Sequence, residues 1–367
     1  MIIIKYAIFL LTSGLSATTS NPSCNLENDY KGQCQDIRTC PYQVGRLRVG
    51  APVKKCDDSA SDVCCPIQKS KSEEKCEEWR QMLYTPSSYD QPKHERVVCA
   101  SESAIRWTLS GTTAYPFEFP HVVALGYGTN LTTLKLACGA TLISEKYLLT
   151  AAHCVMHRLG KPSYAILGDG TLDPRVAPGN PYQKLVFIEE HVVHPKYIPP
   201  FIYHDIALLR LSASLDLNRY VLPACISTPL KAPRRNSNVE ACGWGIRDDE
   251  TTPTNNNIMQ LQVANISTIG QGTCNKIYED KPDKNANNMD GLLKSQFCAT
   301  GENEDICRSD SGGGVFLREE QCLFHIVGIT SLGSTKCGLA SPTIYTNVAS
   351  YQDWIESIVW EAGEEPR

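Results

Sequence analysis

The sequence predicts an all-β fold with a C-terminal helix, preceded by a small disulfide-rich module, and three observations carry that prediction. Short β-rich runs at residues 122–125, 147–150 and 206–211 are separated by Gly, Pro and Asn clusters, the pattern of an all-β barrel or sandwich. Near the end, Tyr351, Trp354, Ile355, Ile358 and Val359 recur at helical spacing, a stripe suited to packing on a core. Near the start, Cys24, Cys34, Cys40, Cys56, Cys64 and Cys65 crowd a stretch too short to build a sufficient apolar core, so cross-links must substitute for burial.

In chain order, residues 2–15 form an apolar run with Lys5 near its start and Ser16 and Ala17 after it, so residues 1–19 read as a secretory signal peptide. No later run reaches the ~18 apolar residues of a spanning helix, which argues against a membrane anchor. The net charge of -5 gives no sign of nucleic-acid binding. In an exported chain, 17 cysteines point to disulfides rather than thiol chemistry or zinc, and the odd number leaves at least one unmatched. Composition alone leaves the connectivity open. Residues 24–65 form the cysteine-rich module. Residues 66–107, charged from Lys69 to Glu78 and broken by Pro86 and Pro92, read as a linker, and a larger domain follows at 108–361. Asn130-Leu131-Thr132 and Asn265-Ile266-Ser267 are glycosylation acceptors if exposed. His191 and His194 could suggest a metal pair, but the structural reading is preferred and no metal site is expected.

The chemistry lies in three short runs: Thr150-Ala151-Ala152-His153-Cys154, His204-Asp205-Ile206-Ala207-Leu208-Leu209, and Asp310-Ser311-Gly312-Gly313. A hydroxyl is a poor nucleophile at neutral pH. It needs an imidazole to take its proton and a carboxylate to hold that imidazole in the right tautomer. One Ser, one His and one Asp alone would mean little, but three separate contexts agree.

From about Thr108 to Trp360 these runs resemble a chymotrypsin-type serine protease. Phe119-Pro120-His121, Cys138-Gly139-Ala140-Thr141-Leu142-Ile143, Cys242-Gly243-Trp244-Gly245 and Val327-Gly328-Ile329-Thr330-Ser331 strengthen the likeness. The first part resembles an arthropod clip domain. The linker Cys76-Glu77-Glu78-Trp79 and the run from Leu167 to Ile206 are most similar to the snake-like group of clip proteases. The resemblance implies a chymotrypsin-like double β-barrel. It also implies the bridges Cys24–Cys64, Cys34–Cys56, Cys40–Cys65, Cys138–Cys154, Cys274–Cys298 and Cys307–Cys337, with Cys99–Cys225 tethering the light chain after cleavage. Cys76, Cys242 and Cys322 are left, with one bridge expected among them.

The resemblance makes Ser311 the nucleophile, His153 the general base and then acid, and Asp205 the group orienting His153. Backbone N–H groups of Ser311 and Ser309 would form the oxyanion hole. Ser309 stands where the family has Gly, and full loss of that donor would cost about 2.7–4 kcal/mol in the transition state. Asp305 matches the acidic base of trypsin-like specificity pockets, with Ser331 and Gly333 nearby. Ile306 and Thr343 are bulkier than the usual residues and would make that pocket shallow, and Leu332 replaces the usual Trp. The family register from Phe119-Pro120 places the activation cut between Trp107 and Thr108. The new amino group of Thr108 would then pair with Asp310. Cutting after Arg106 adds one residue and moves that amino group by up to ~3.5 Å.

The resulting expectation is a secreted, extracellular clip-domain serine endopeptidase zymogen in an immune or developmental proteolytic cascade. Its implied partners are a protein substrate, an upstream activating protease and a serpin inhibitor, without a cofactor. A rival expectation is a non-catalytic protease homologue acting as a binding cofactor or regulator, supported by Ser309, Thr343, Gly314 in place of the usual Pro, and the Thr108 terminus. A third makes the clip domain the main functional part.

Overall fold

The computed structural model describes residues 21–26, 30–56, 61–84, 112–115, 117–130, 134–168, 171–172, 183–244, 259–279, 291–301, 311–319, 323–333 and 342–360. In the N-terminal module, β1 (Ser23–Asn25), β2 (Lys31–Asp36) and β3 (Asp62–Pro66) form a three-stranded antiparallel sheet beside α1 (Pro41–Arg48). Bridges Cys24–Cys64, Cys34–Cys56 and Cys40–Cys65 knit it together. Gly32 is required here, because a Cβ would lie 2.6 Å from the Cys64 sulfur.

The next element differs from the sequence expectation. Within the stretch read as linker, Lys71–Tyr84 is a 14-residue helix, α2. Its start is a reciprocal capping box: the Ser70 N–H donates to Glu73 at 2.9 Å, and the Glu73 N–H donates to the Ser70 hydroxyl at 3.4 Å. Trp79 on α2 is 1 % exposed, packed with Leu222, Cys225 and Leu323, and Arg80 pairs with Glu319 at 3.0 Å. This docking corrects one bridge. Cys225 is bonded to Cys76, not to Cys99, because α2 delivers Cys76 to within 5.1 Å (Cα to Cα) of Cys225. The expected bridge among Cys76, Cys242 and Cys322 is likewise overturned for Cys76. Cys99, Cys322 and the Cys307–Cys337 pair lie outside the described residues.

The body contains two barrels. After β4 (Thr112–Thr113), the first is built from β5 (Val122–Tyr127), β6 (Lys135–Leu142), β7 (Tyr147–Thr150), β8 (Pro162–Leu167), β10 (Lys184–Val193) and β11 (Ala207–Leu211). It closes in the order β10-β11-β7-β6-β5-β8. A short α3 (Ala152–Val155) follows β7, and β9 (Thr171–Leu172) pairs outside the barrel with β14 (Met259–Gln260). Here the apolar runs are buried on both strand faces: Val123, Leu125, Leu142, Leu148, Leu149, Leu208 and Leu209 are fully buried.

The second barrel uses β13 (Asn238–Gly243), β15 (Gln262–Ile269), β16 (Gln296–Thr300), β17 (Gly314–Arg318), β18 (Phe324–Leu332) and β19 (Thr343–Asn347). Their pairings run β13-β15-β16-β19-β18-β17 and return to β13. The two-residue β12 (Cys225–Ile226) lies parallel to β18. Bridge Cys274–Cys298 fixes α4 (Gln271–Glu279) to β16. The chain ends in α5 (Gln352–Val359), whose Ile355 is fully buried while Ile358 and Val359 pack on the core. The fold is therefore mostly β, with two closed six-stranded barrels and a C-terminal helix.

Candidate active site

His153 sits on α3, immediately after β7. Bridge Cys138–Cys154 ties α3 to β6, and the Tyr127 hydroxyl donates to the Cys154 carbonyl at 2.9 Å. Asp205 comes from the other side, at a tight turn before β11 in which the Ile206 N–H reaches the His204 carbonyl at 2.8 Å. The turn places His204 at φ 56°, a left-handed conformation unusual for a residue with a Cβ. His204 is held there by aromatic packing. Its ring stacks on His194 at 5.2 Å, and its Nδ1 lies 3.0 Å from the Tyr351 hydroxyl. His194 is thus a member of an aromatic cluster with Tyr351 and Trp354, and burial lowers its pKa to about 4. His191 does lie on strand β10, with Nε2 2.7 Å from the Pro162 carbonyl.

The Asp205 side chain is 2 % exposed, and its oxygens are well satisfied. Oδ1 accepts from the His153 N–H at 2.9 Å, while Oδ2 lies 2.7 Å from His153 Nδ1 and accepts from the Ser331 hydroxyl at 2.6 Å. The Thr346 hydroxyl donates to the Asp205 carbonyl at 2.9 Å, anchoring the turn to the second barrel. This geometry fixes the proton on His153 Nδ1 and leaves Nε2 as the basic nitrogen, the arrangement a general base needs. Burial and the Asp205 charge together raise the Tyr197 pKa.

Ser311 is exposed, and its carbonyl accepts from the Gly139 N–H of β6 at 2.9 Å. The next residue, Gly312, has φ 75°, and a Cβ there would meet Thr150, the Cys154 sulfur and the Gly139 carbonyl. Glycine is therefore obligatory where the loop after Ser311 crosses the first barrel. Gly314 has a packing reason too, since Thr141 and Phe316 fill the space of a Cβ. A Cβ added at Gly333 would lie 3.6 Å from the Thr343 hydroxyl, so these two positions face each other. Thr343 is buried, as is Ser331.

The structure thus joins His153, Asp205 and Ser331 by direct contacts and sets Gly333 opposite Thr343. Ser309, Asp310, Asp305, Ile306, Trp107 and Thr108 lie outside the described residues. Asn130 and Asn265 are both exposed. The contacts of Ser331, Thr346, His204 and Tyr351 around Asp205 went unread in the sequence. None carries a local signal, because each acts through a partner more than a hundred residues away or through a backbone turn.

Comparison with known proteins shows the family. The trypsin family profile matches residues 108–355. Serine protease snk of Drosophila melanogaster is 31% identical, over 90% of this chain and 76% of its own length. The phenoloxidase-activating enzyme of Bombyx mori is 30% identical, over 96% of this chain and 86% of its own. Among solved structures, neuropsin, a serine protease expressed in the limbic system of mouse brain, aligns with a TM-score of 0.52 and 26% identity, covering 68% of this chain and 98% of that one. The chain belongs to the trypsin family of serine proteases, within the clip-domain group that its insect relatives represent.

Proposed function

We propose that this protein is a secreted zymogen that, once cut, hydrolyses protein substrates in an extracellular cascade of the immune or developmental kind. The observation that carries the reading is the buried Asp205 carboxylate 2.7 Å from His153 Nδ1. In the proposed reaction, Ser311 Oγ attacks the scissile carbonyl while its proton passes to His153 Nε2. Asp205 stabilises the imidazolium that forms. The C–N bond then breaks as His153 returns the proton to the leaving amine, and water repeats the sequence on the acyl-enzyme to release the acid.

Residues 1–19 act as the export signal, 24–65 as the clip domain, 66–107 as the segment bearing the activation site and 108–361 as the protease domain. Cleavage between Trp107 and Thr108 by an upstream protease frees an amino group for Asp310. Asp305, Ile306, Ser331, Gly333 and Thr343 shape the substrate pocket, and Ser309 with Ser311 binds the oxyanion. Asn130 and Asn265 carry glycans, and a serpin ends the activity. Relatives named for phenoloxidase activation and Spaetzle processing support the cascade role.

A second reading, the non-catalytic homologue, draws support from Thr343, which fills space opposite Gly333. Treating the cleaved full chain with a fluorophosphonate separates the two. Labelling confined to Ser311 and abolished by Ser311→Ala is expected. An unlabelled chain after verified cleavage at Thr108 would make the homologue the better account.

A further inference from the structure

A second surface lies at the seam between the N-terminal module and the body. On α1, Gly45 packs directly against the Pro229 carbonyl, where a Cβ would come within 2.8 Å, and Arg48 Nη2 donates to the same carbonyl at 2.8 Å. One turn of chain further, the Cβ position of Gly50 falls 2.8 Å from Lys294 Cβ. Arg234 and Arg235 stand on a turn closed by the Ser237 N–H to the Arg234 carbonyl at 3.1 Å and by the Arg234 N–H to the Ser237 hydroxyl at 2.9 Å. Asn236 takes the left-handed conformation that the turn requires, at φ 61°. Arg235 then reaches over Gly270, and Gln271 donates to the Leu293 carbonyl at 2.7 Å, so the circuit closes on Lys294.

Four cations, Arg48, Arg234, Arg235 and Lys294, therefore share one face of a chain whose net charge is -5. All four are exposed, and none is in an ion pair among the described residues. Arg48 and Arg234 stand close enough for their charges to repel. Large apolar side chains that water does not favour lie beside them: Val44 and Leu47, on α1 with Arg48, are each 47% exposed, and Leu230, next to Pro229, is 49% exposed. Gathering like charges costs free energy unless an opposite charge meets them, and exposed leucines gain only when something covers them.

We propose that this seam is a docking surface for a segment of another protein that carries acidic side chains interspersed with large apolar ones. The apolar half of the patch is the reason for choosing a protein segment. A polysaccharide or a free anion would use the cations and leave Val44, Leu47 and Leu230 exposed. Because the surface takes residues from both the module and the body, its occupant senses whether the two remain docked. The proposal holds whether or not Ser311 reacts.

The test is selection of a random phage-displayed peptide library on the disulfide-intact full chain, with Arg48→Glu/Arg234→Glu/Arg235→Glu as the counter-target. Enriched peptides should combine Asp or Glu with Leu, Ile or Phe. Their synthetic forms should lose about tenfold or more in affinity on the charge-reversed chain, and measurably on Leu47→Ser/Leu230→Ser. Raising salt should weaken them. The corresponding triple Gln variant, which removes the charges without reversing them, should weaken binding too and guards against local unfolding by reversed charge. No variant-sensitive peptides, or enriched peptides without acids, would overturn the proposal. So would heparin or phosphatidylserine vesicles binding through these residues more tightly than the peptides, since the surface would then belong to a polyanion or a membrane.

Discussion

Asp205 owes its orientation to one hydroxyl as much as to the histidine it serves. The Ser331 hydroxyl shares Oδ2 with His153 Nδ1, so removing it leaves a buried carboxylate short of a donor and the imidazole freer to turn. Hydrogen bonds to charged groups are worth about 1.5–3 kcal/mol. Ser331→Ala should lower kcat on small esters by at least about one order of magnitude with little change in KM, measured on Thr108-initiated protein. An unchanged kcat would mean that His153 is held by other contacts. Thr343 predicts a different effect. Thr343→Gly removes the side chain facing Gly333, so kcat/KM should rise for Arg esters and stay nearly constant for small esters. If both substrates respond equally, Thr343 is not a pocket wall. The His153–Asp205 pair was legible because both residues sit in distinctive local runs. The role of Ser331 as a positioning donor was not, because a strand sequence does not say which carboxylate lies opposite.

Among the elements, α2 is the one that local sequence reading lost. Its charged surface and the prolines that follow look like a linker, yet Ser70 and Glu73 have the spacing of a helix cap. The rest of its stability comes from afar. Glu356 of α5 is 3 % exposed and accepts from the Ser72 N–H at 3.2 Å, the Ser72 hydroxyl at 2.5 Å and Gln352 at 2.9 Å. A carboxylate at the N-terminus of α2 also suits the helix dipole. Its charge, after burial, helps push up the Tyr30 pKa. Glu356→Ala should leave these donors unmatched at a cost of about 1–3 kcal/mol. Hydrogen exchange should then speed up in α2 and leave the strands of the first barrel unchanged. Uniform acceleration would show that α2 and the barrel unfold as one unit. The same docking explains why Cys76 takes Cys225. Mass mapping of the non-reduced chain should find that pair, and a peptide joining Cys99 to Cys225 would refute the placement of α2.

At the scale of the whole molecule, an all-β barrel or sandwich was legible from short β-rich runs and turn residues, and the double barrel from the family resemblance, while the way the barrels meet was not. Part of that contact is an aromatic group, with His121 from the first barrel set against Phe316 at 4.3 Å and Phe324 at 4.8 Å. Among the described residues, the buried His121 Nε2 has no hydrogen-bond partner. Burial first, and then the charge of Arg318, lower its pKa from the model-peptide value of 6.5 to about 3. The folded protein therefore keeps this imidazole neutral where the unfolded chain protonates it. Between about pH 6.5 and 3 the unfolded state binds more protons, so stability is fully present above that window and falls as pH drops through it. His194, lowered to about 4, acts in the same direction. In His121→Phe, which fits a ring among rings, one of these two terms disappears. Urea midpoints measured between about pH 7 and 4 should then fall less steeply than in the wild type, the difference at the acid end being on the order of a few kcal/mol. A parallel decline in both proteins would mean that acid attacks the fold through its carboxylates, with His121 open to protonation while folded.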